Sequence, residues 1–198
     1  MQITQHNSPN CGPRRNGLRP SLVVIHYTAM TSADSAIKRL CDPAYEVSAH
    51  YVIARDGQVT QLVPEDQRAW HAGAGQWHGQ DDINSRSIGI ELDNTGTHPF
   101  PEPQMLALET LLVGVLDRWD ISPEGVIGHS DMAPGRKVDP GLHFDWTRLA
   151  HQNLAAVAPA NNIDPANIAA SGNAAGYTAT CDPTDLRHAI ALRWPNLI

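Results

Sequence analysis

Long hydrophobic runs are missing from this sequence. Near its start the longest clean apolar stretch is Leu22 to Ile25, far short of the roughly 20 residues that a membrane span requires. No hydrophobic signal region precedes it. Arg14-Arg15 resembles the start of a twin-arginine signal, but His26 closes the apolar run that follows, so the expectation is a cytoplasmic chain. A periplasmic or wall-associated location, reached by another export route, is the alternative. Positive charge is also scarce: 14 basic against 21 acidic residues give a net charge of −7. That balance argues against a nucleic-acid or anionic-membrane surface. Cysteine is rare and oddly numbered. Cys11, Cys41 and Cys181 contain no Cys-x-x-Cys pair, which favours reduced thiols over a disulfide framework.

What is present fits one globular domain with residues to spare: 198 residues, 41% of them hydrophobic, can bury a sizeable core without staples. No internal repeat is found. The first 20 residues are turn-rich and read as an arm over the surface. Leu22-Val23-Val24-Ile25 suits a strand buried on both faces. Thr31 or Ser32 can cap a helix that runs to about Leu40 and stops at Asp42-Pro43. Tyr51 to Val63 reads as a hairpin around Asp56-Gly57, a two-residue turn signal. Ser87 to Leu92 is a second buried strand. Leu108, Leu111, Leu112, Val115, Leu116 and Trp119 follow helical spacing after Pro103, and Val126-Ile127 is a short strand leading into Gly128-His129. Strands interleaved with helices predict an α/β fold, a central mixed β-sheet flanked by α-helices. Beyond about residue 150 the composition shifts: from His151 to Cys181 only Asp164 is charged. Residues 1–150 are therefore expected to form the domain, and 151–198 a linker with a last helix whose Leu186, Ile190 and Trp194 share a face.

Ten histidines stand in the chain, and His6, His98, His151 and His188 occupy polar or terminal contexts expected to be solvated. His26 differs, because it sits at the carboxyl end of a buried strand, where open sheets place ligands. His129 likewise follows a strand, and Asp139 comes ten residues later through a Pro/Gly-rich loop. Two histidines and a carboxylate are the ligand set of an open catalytic zinc site. Spacing alone does not bring them together. Glu91 stands in the otherwise apolar strand Ile88-Gly89-Ile90-Glu91-Leu92. It either points into solvent at the strand end or is a desolvated general base with a raised pKa. Lys137 is either a solvated loop lysine or a stabiliser of an oxyanion.

Gly128-His129-Ser130-Asp131-Met132-Ala133-Pro134-Gly135-Arg136-Lys137-Val138-Asp139-Pro140-Gly141, followed by Phe144-Asp145-Trp146, resembles the signature loop of zinc-dependent N-acetylmuramoyl-L-alanine amidases of the AmpD type. Val24-Ile25-His26-Tyr27-Thr28, Val47-Ser48-Ala49-His50-Tyr51, Ala69-Trp70-His71-Ala72-Gly73 and Ser87-Ile88-Gly89-Ile90-Glu91 carry the same resemblance across residues 21–149. It implies the fold shared with peptidoglycan-recognition proteins and phage lysozyme-amidases. It further implies one zinc per chain held by His26, His129 and Asp139, with Glu91 as catalytic carboxylate and Lys137 assisting the oxyanion. Those other branches carry a catalytic tyrosine where this chain has Ala49, and a cysteine as third ligand where it has Asp139. Trp70 and His71 are expected as cleft-wall, substrate-binding residues, and His50 and His71 as neighbours of the metal site that do not ligate it. His143 fits no motif and is expected to be exposed.

The reaction so implied is hydrolysis of the amide between the lactyl group of N-acetylmuramic acid and L-alanine, in muropeptides or peptidoglycan, during cell-wall recycling or turnover. No nucleic acid or membrane partner is expected, and the sequence does not specify an oligomeric state. The alternatives are a non-catalytic muropeptide-binding protein on the same fold and a different zinc hydrolase, such as a deacetylase or peptidase. A pure receptor would not need all five of His26, His129, Asp139, Glu91 and Lys137.

Overall fold

The computed structural model describes residues 1–156. Its strands are β1 (Ile3–Gln5), β2 (Cys11–Pro13), β3 (Leu22–Tyr27), β4 (Tyr51–Ile53), β5 (Val59–Gln61), β6 (Gln67–Ala69), β7 (Ser87–Leu92) and β8 (Val126–Gly128). The α-helices are α1 (Ala33–Leu40), α2 (Ile83–Arg86), α3 (Glu102–Trp119), α4 (His129–Met132) and α5 (Trp146–His151). Six strands form one sheet in the order β1-β5-β4-β7-β3-β8, while β2 and β6 pair separately. Only the β4/β5 pair is antiparallel within the six-stranded sheet. The mixed sheet expected from interleaved strands and helices is thus the observed one.

Alternation along β7 divides the domain into two faces, because successive strand side chains point to opposite sides. Ile88, Ile90 and Leu92 join Val23, Ile25, Tyr51 and Ile53 in the larger core, under Met105, Leu108, Leu111, Leu112 and Val115 of α3. Each such fully buried aliphatic side chain contributes about 1.5–3 kcal/mol. Pro103 lies in the first turn of α3, as expected from its fixed φ. The opposite face holds two smaller clusters. Leu22, Val24 and Ile127 pack with Ile83 and Met132, and Val52 packs with Ala36 and Leu40 of α1. Between them β7 presents Ser87, Gly89 and Glu91, none of which adds apolar bulk.

Ser32 caps α1 by accepting from the Ser35 amide, so the cap falls on the second of the two candidates. The hairpin register pairs Tyr51 with Gln61, but its turn is longer than a two-residue one. Ala54 N–H donates to Gln58 O at 2.9 Å, leaving Arg55, Asp56 and Gly57 in the loop. Gly57 takes φ +89°, as three-residue hairpins with a left-handed glycine do.

The N-terminal arm is more than a surface cover. Its β1 runs parallel to β5 as a sheet edge, and β2 pairs with β6. Three-residue strands carry no periodicity to read, so only the long-range pairing reveals them. Arg14 then pins the arm, its guanidinium donating to the carbonyls of Glu65, Asn84, Ser85 and Ser87 at 2.7–3.3 Å. Beyond α5, Leu154 and Ala155 are buried against the larger core, so the domain packs slightly past residue 150. The expected last helix, with Leu186, Ile190 and Trp194, lies outside the described residues. No helix among the described residues is long and apolar enough to cross a membrane.

Candidate metal centre

β3 and β8 run parallel with Ile25 opposite Gly128. The two residues that follow, His26 and His129, therefore leave neighbouring strands at one level, both buried. Gly128 and the loop after α4 bring the third group. Ser130 N–H donates to Asp139 O at 2.9 Å, and Gly128 N–H to Asp131 Oδ2 at 2.7 Å. A Cβ on Gly128 would stand 2.8 Å from Pro140 Cδ, so a side chain there would push the Asp139 turn away.

The result is a tight triangle. His26 Nδ1, His129 Nδ1 and Asp139 Oδ2 are mutually 2.9–3.0 Å apart, and these three residues could hold a metal ion. The edges approach the roughly 3.3 Å that separates ligands about 2.0 Å from a shared tetrahedral centre. Donor chemistry agrees. His129 Nε2 lies 2.9 Å from Ala72 O, and a carbonyl can only accept, so Nε2 bears the proton and Nδ1 offers a lone pair. Burial, then the neighbouring His129, lowers the His26 pKa to about 4. Burial opposes ionisation of Asp139, but its contacts with His129 and His26 outweigh it and hold the carboxyl well below its ordinary range. Two imidazole nitrogens facing a carboxylate suit a divalent cation.

Glu91 stands opposite His26 in the β3/β7 register. Its Oε2 is buried without a hydrogen-bond partner among the described residues. Burial and then the Asp139 charge push its pKa up to about 8, with Lys137 pulling the other way. All of His26, His129, Asp139, Glu91, Lys137, Trp70 and His71 line one cavity of about 360 Å³, with Arg39, Val47 and Arg136 further along its walls.

Neighbours that the sequence pattern did not single out hold the Trp70–Ala74 segment in place. Asn84 Oδ1 accepts from the amides of both His71 (3.0 Å) and Ala72 (2.8 Å), Ser48 Oγ accepts from Trp70 N–H at 2.8 Å, and Arg136 donates to the carbonyls of Ala72 and Ala74. An Asn-Ser pair before a strand reads as turn chemistry, so no local signal marks Asn84. His50 is buried away from the cavity wall. Its Nδ1 accepts from Gly89 N–H at 2.9 Å, and Nε2 faces Gln67 O at 3.1 Å. His6, His143 and His151 are exposed as expected, and His98 is partly so; His188 lies outside the described residues.

Residues 16–142 match the family model described as N-acetylmuramoyl-L-alanine amidase. The chain is 39% identical over 162 residues to N-acetylmuramoyl-L-alanine amidase AmiD of Escherichia coli, covering 74% of this chain and 58% of that protein. It is 35% identical over 159 residues to the 1,6-anhydro-N-acetylmuramyl-L-alanine amidase AmpD of the same species, covering 72% and 87%. Its fold is similar to a crystal structure of AmpD, with TM-score 0.70, 32% identity and coverage of 77% and 94%. It is likewise similar to Escherichia coli AmiD in complex with the substrate anhydro-N-acetylmuramic acid-L-Ala-D-γ-Glu-L-Lys, with TM-score 0.64, 39% identity and coverage of 71% and 61%.

Proposed function

Because this chain belongs to the N-acetylmuramoyl-L-alanine amidase family, we propose that it hydrolyses the amide joining the lactyl group of N-acetylmuramic acid to L-alanine. We further propose that its substrates are 1,6-anhydromuropeptides, the class named for both AmpD and the AmiD complex. The observation that carries this reading is the meeting of the His26/His129/Asp139 triangle with the unpartnered Glu91 Oε2 in one cavity.

In this reading His26 Nδ1, His129 Nδ1 and Asp139 Oδ2 hold one zinc ion. Zinc bound there supplies a Lewis acid and lowers the pKa of water from 15.7 to about 7. Glu91 Oε2 accepts the proton of the attacking water as its oxygen approaches the lactyl carbonyl carbon. The protonated Glu91 then delivers that proton to the nitrogen of L-alanine as the C–N bond breaks. Lys137 Nζ balances the negative charge that develops on the carbonyl oxygen. One carboxylate serves as base and then acid, so no second one is required. Trp70 offers its ring to the bound muropeptide from the cavity wall.

Cytoplasmic recycling of soluble muropeptides is the setting we infer. The net charge of −7 disfavours tight binding to a polyanionic wall, and three cysteines with no Cys-x-x-Cys pair suit a reducing compartment. The test is chromatography with mass detection of zinc-loaded protein incubated with anhydro-N-acetylmuramyl-tripeptide. Release of anhydro-N-acetylmuramic acid and a peptide with an L-alanine amino terminus is the expected result. An intact amide, with the substrate merely bound, would instead make the protein a muropeptide receptor.

A further inference from the structure

His71 is held in a run of hydrogen bonds that begins at a carbonyl and ends at the proposed metal site. Ser87 Oγ lies 2.6 Å from Ile83 O and gives its hydroxyl proton to that acceptor. The same oxygen lies 3.2 Å from His71 Nε2. With its proton committed, Ser87 Oγ can only accept, so His71 bears its proton on Nε2. The other ring nitrogen, Nδ1, is then a lone pair, and it stands 3.0 Å from His26 Nε2. For His26 to hold a metal through Nδ1, where Asp139 Oδ2 also stands 2.9 Å away, its proton must sit on Nε2, and His71 Nδ1 is the acceptor placed to keep it there. The direction of each bond up to His71 follows from Ile83 O, which has no proton to give.

β7 is shaped to hold this ring. Ser87, Gly89 and Glu91 share one face of the strand. At Gly89 an added Cβ would meet His71 Cγ at 2.5 Å and its Cδ2 and Nδ1 at 2.6 Å, so the imidazole lies directly on the glycine. Asn84 Oδ1 fixes the His71 amide at 3.0 Å. The rings of His71 and His26 meet at 84°, centroids 5.1 Å apart, an arrangement that a ring-to-ring N–H donation allows.

We propose that His71 is a positioning residue, which locks His26 in the tautomer that presents Nδ1 to the metal while Ser87 and Gly89 lock His71 itself. This goes beyond a place on the cavity wall: both His71 nitrogens are engaged, and only a ring edge remains for substrate. The inference rests on the zinc reading of His26, yet it makes a claim about the metal-free protein too.

Two variants separate the hydrogen bond from mere packing. His71→Asn puts a carbonyl oxygen near the place of Nδ1 and keeps an acceptor for His26, whereas His71→Ala removes it. Zinc affinity, measured by competition with a chromophoric chelator, is expected to fall roughly 10–100-fold in the alanine variant. The asparagine variant is expected to recover most of that loss. Long-range ¹H–¹⁵N correlation spectra of the metal-free protein are expected to show His26 as the Nε2–H tautomer in the wild type and a tautomer mixture in His71→Ala. Wild-type zinc affinity in the alanine variant, an equal loss in both variants, or an Nδ1–H tautomer of His26 in the wild type would each overturn the proposal. If the wild type binds no zinc at all, the zinc reading falls by itself, and the tautomer spectra still decide the relay.

Discussion

Replacing Glu91 with glutamine tests the proposed chemistry most sharply, because the variant keeps shape and polarity and loses only the ability to take a proton. Glu91 Oε2 has no hydrogen-bond partner among the described residues, so the amide breaks no existing contact. Turnover is expected to fall about 10²–10⁴-fold, the usual worth of a general acid–base, while zinc content stays at one equivalent. The substitution should also leave a signature in stability. In the folded, metal-free protein the carboxyl holds its proton up to about pH 8, against an ordinary value of 4.5. Between those pH values the folded state binds more protons than the unfolded state, so rising pH destabilises the wild type. Each pH unit in that window costs up to about 1.4 kcal/mol. Glutamine does not titrate. The chelator-treated variant should therefore gain on the wild type from pH 5 to pH 8.5, by an amount on the order of a few kcal/mol. Urea denaturation at the two pH values measures it. A stability difference independent of pH would refute the desolvated-carboxyl argument, and loss of zinc would make Glu91 a ligand and not a base.

Asp139→Ala leaves two of three donor groups, so its zinc affinity should drop by more than the roughly 10–100-fold that supporting residues contribute; dialysis and elemental analysis would show it. Lys137→Met should keep zinc and lower kcat about 10²–10³-fold, as loss of one oxyanion-stabilising group does. An unchanged kcat would return Lys137 to the role of a solvated loop residue. Removing residues beyond about 158 should leave zinc binding and turnover of a minimal muropeptide intact while lowering Tm. An unchanged Tm with weaker binding to glycan strands would assign the tail to substrate recognition.

Much of the fold was legible because its central strands are fully buried. Leu22 to Ile25 reads as apolar because apolar clusters lie on both faces of β3, and Ile88, Ile90 and Leu92 because they enter the larger core. The two ends of α1 were marked by Ser32 and by Asp42-Pro43, local chemistry that tertiary packing did not override. The edge strand Ile3–Gln5 left no trace, since it exists through pairing with Val59–Gln61 more than fifty residues away. The site divides in the same way. His26 and Glu91 stood out as polar residues in strands that should have none, and the loop motif drew attention to His129, Lys137 and Asp139. Their convergence, however, depends on the β3/β8 register, and the supports at Asn84, Ser87 and Gly89 are ordinary residues whose role exists only in three dimensions.

The alternation along β7 bears on how this domain tolerates change in length. One strand carries Ile88, Ile90 and Leu92 into the larger core and turns Ser87, Gly89 and Glu91 toward the cavity. A single-residue insertion or deletion there would exchange the two sets, sending branched aliphatics into the cleft and a carboxylate under α3. No later adjustment of side chains could repair both sides together. Loop grafts or peptide tags should therefore be refused anywhere between Ser87 and Leu92, whatever the inserted residues are.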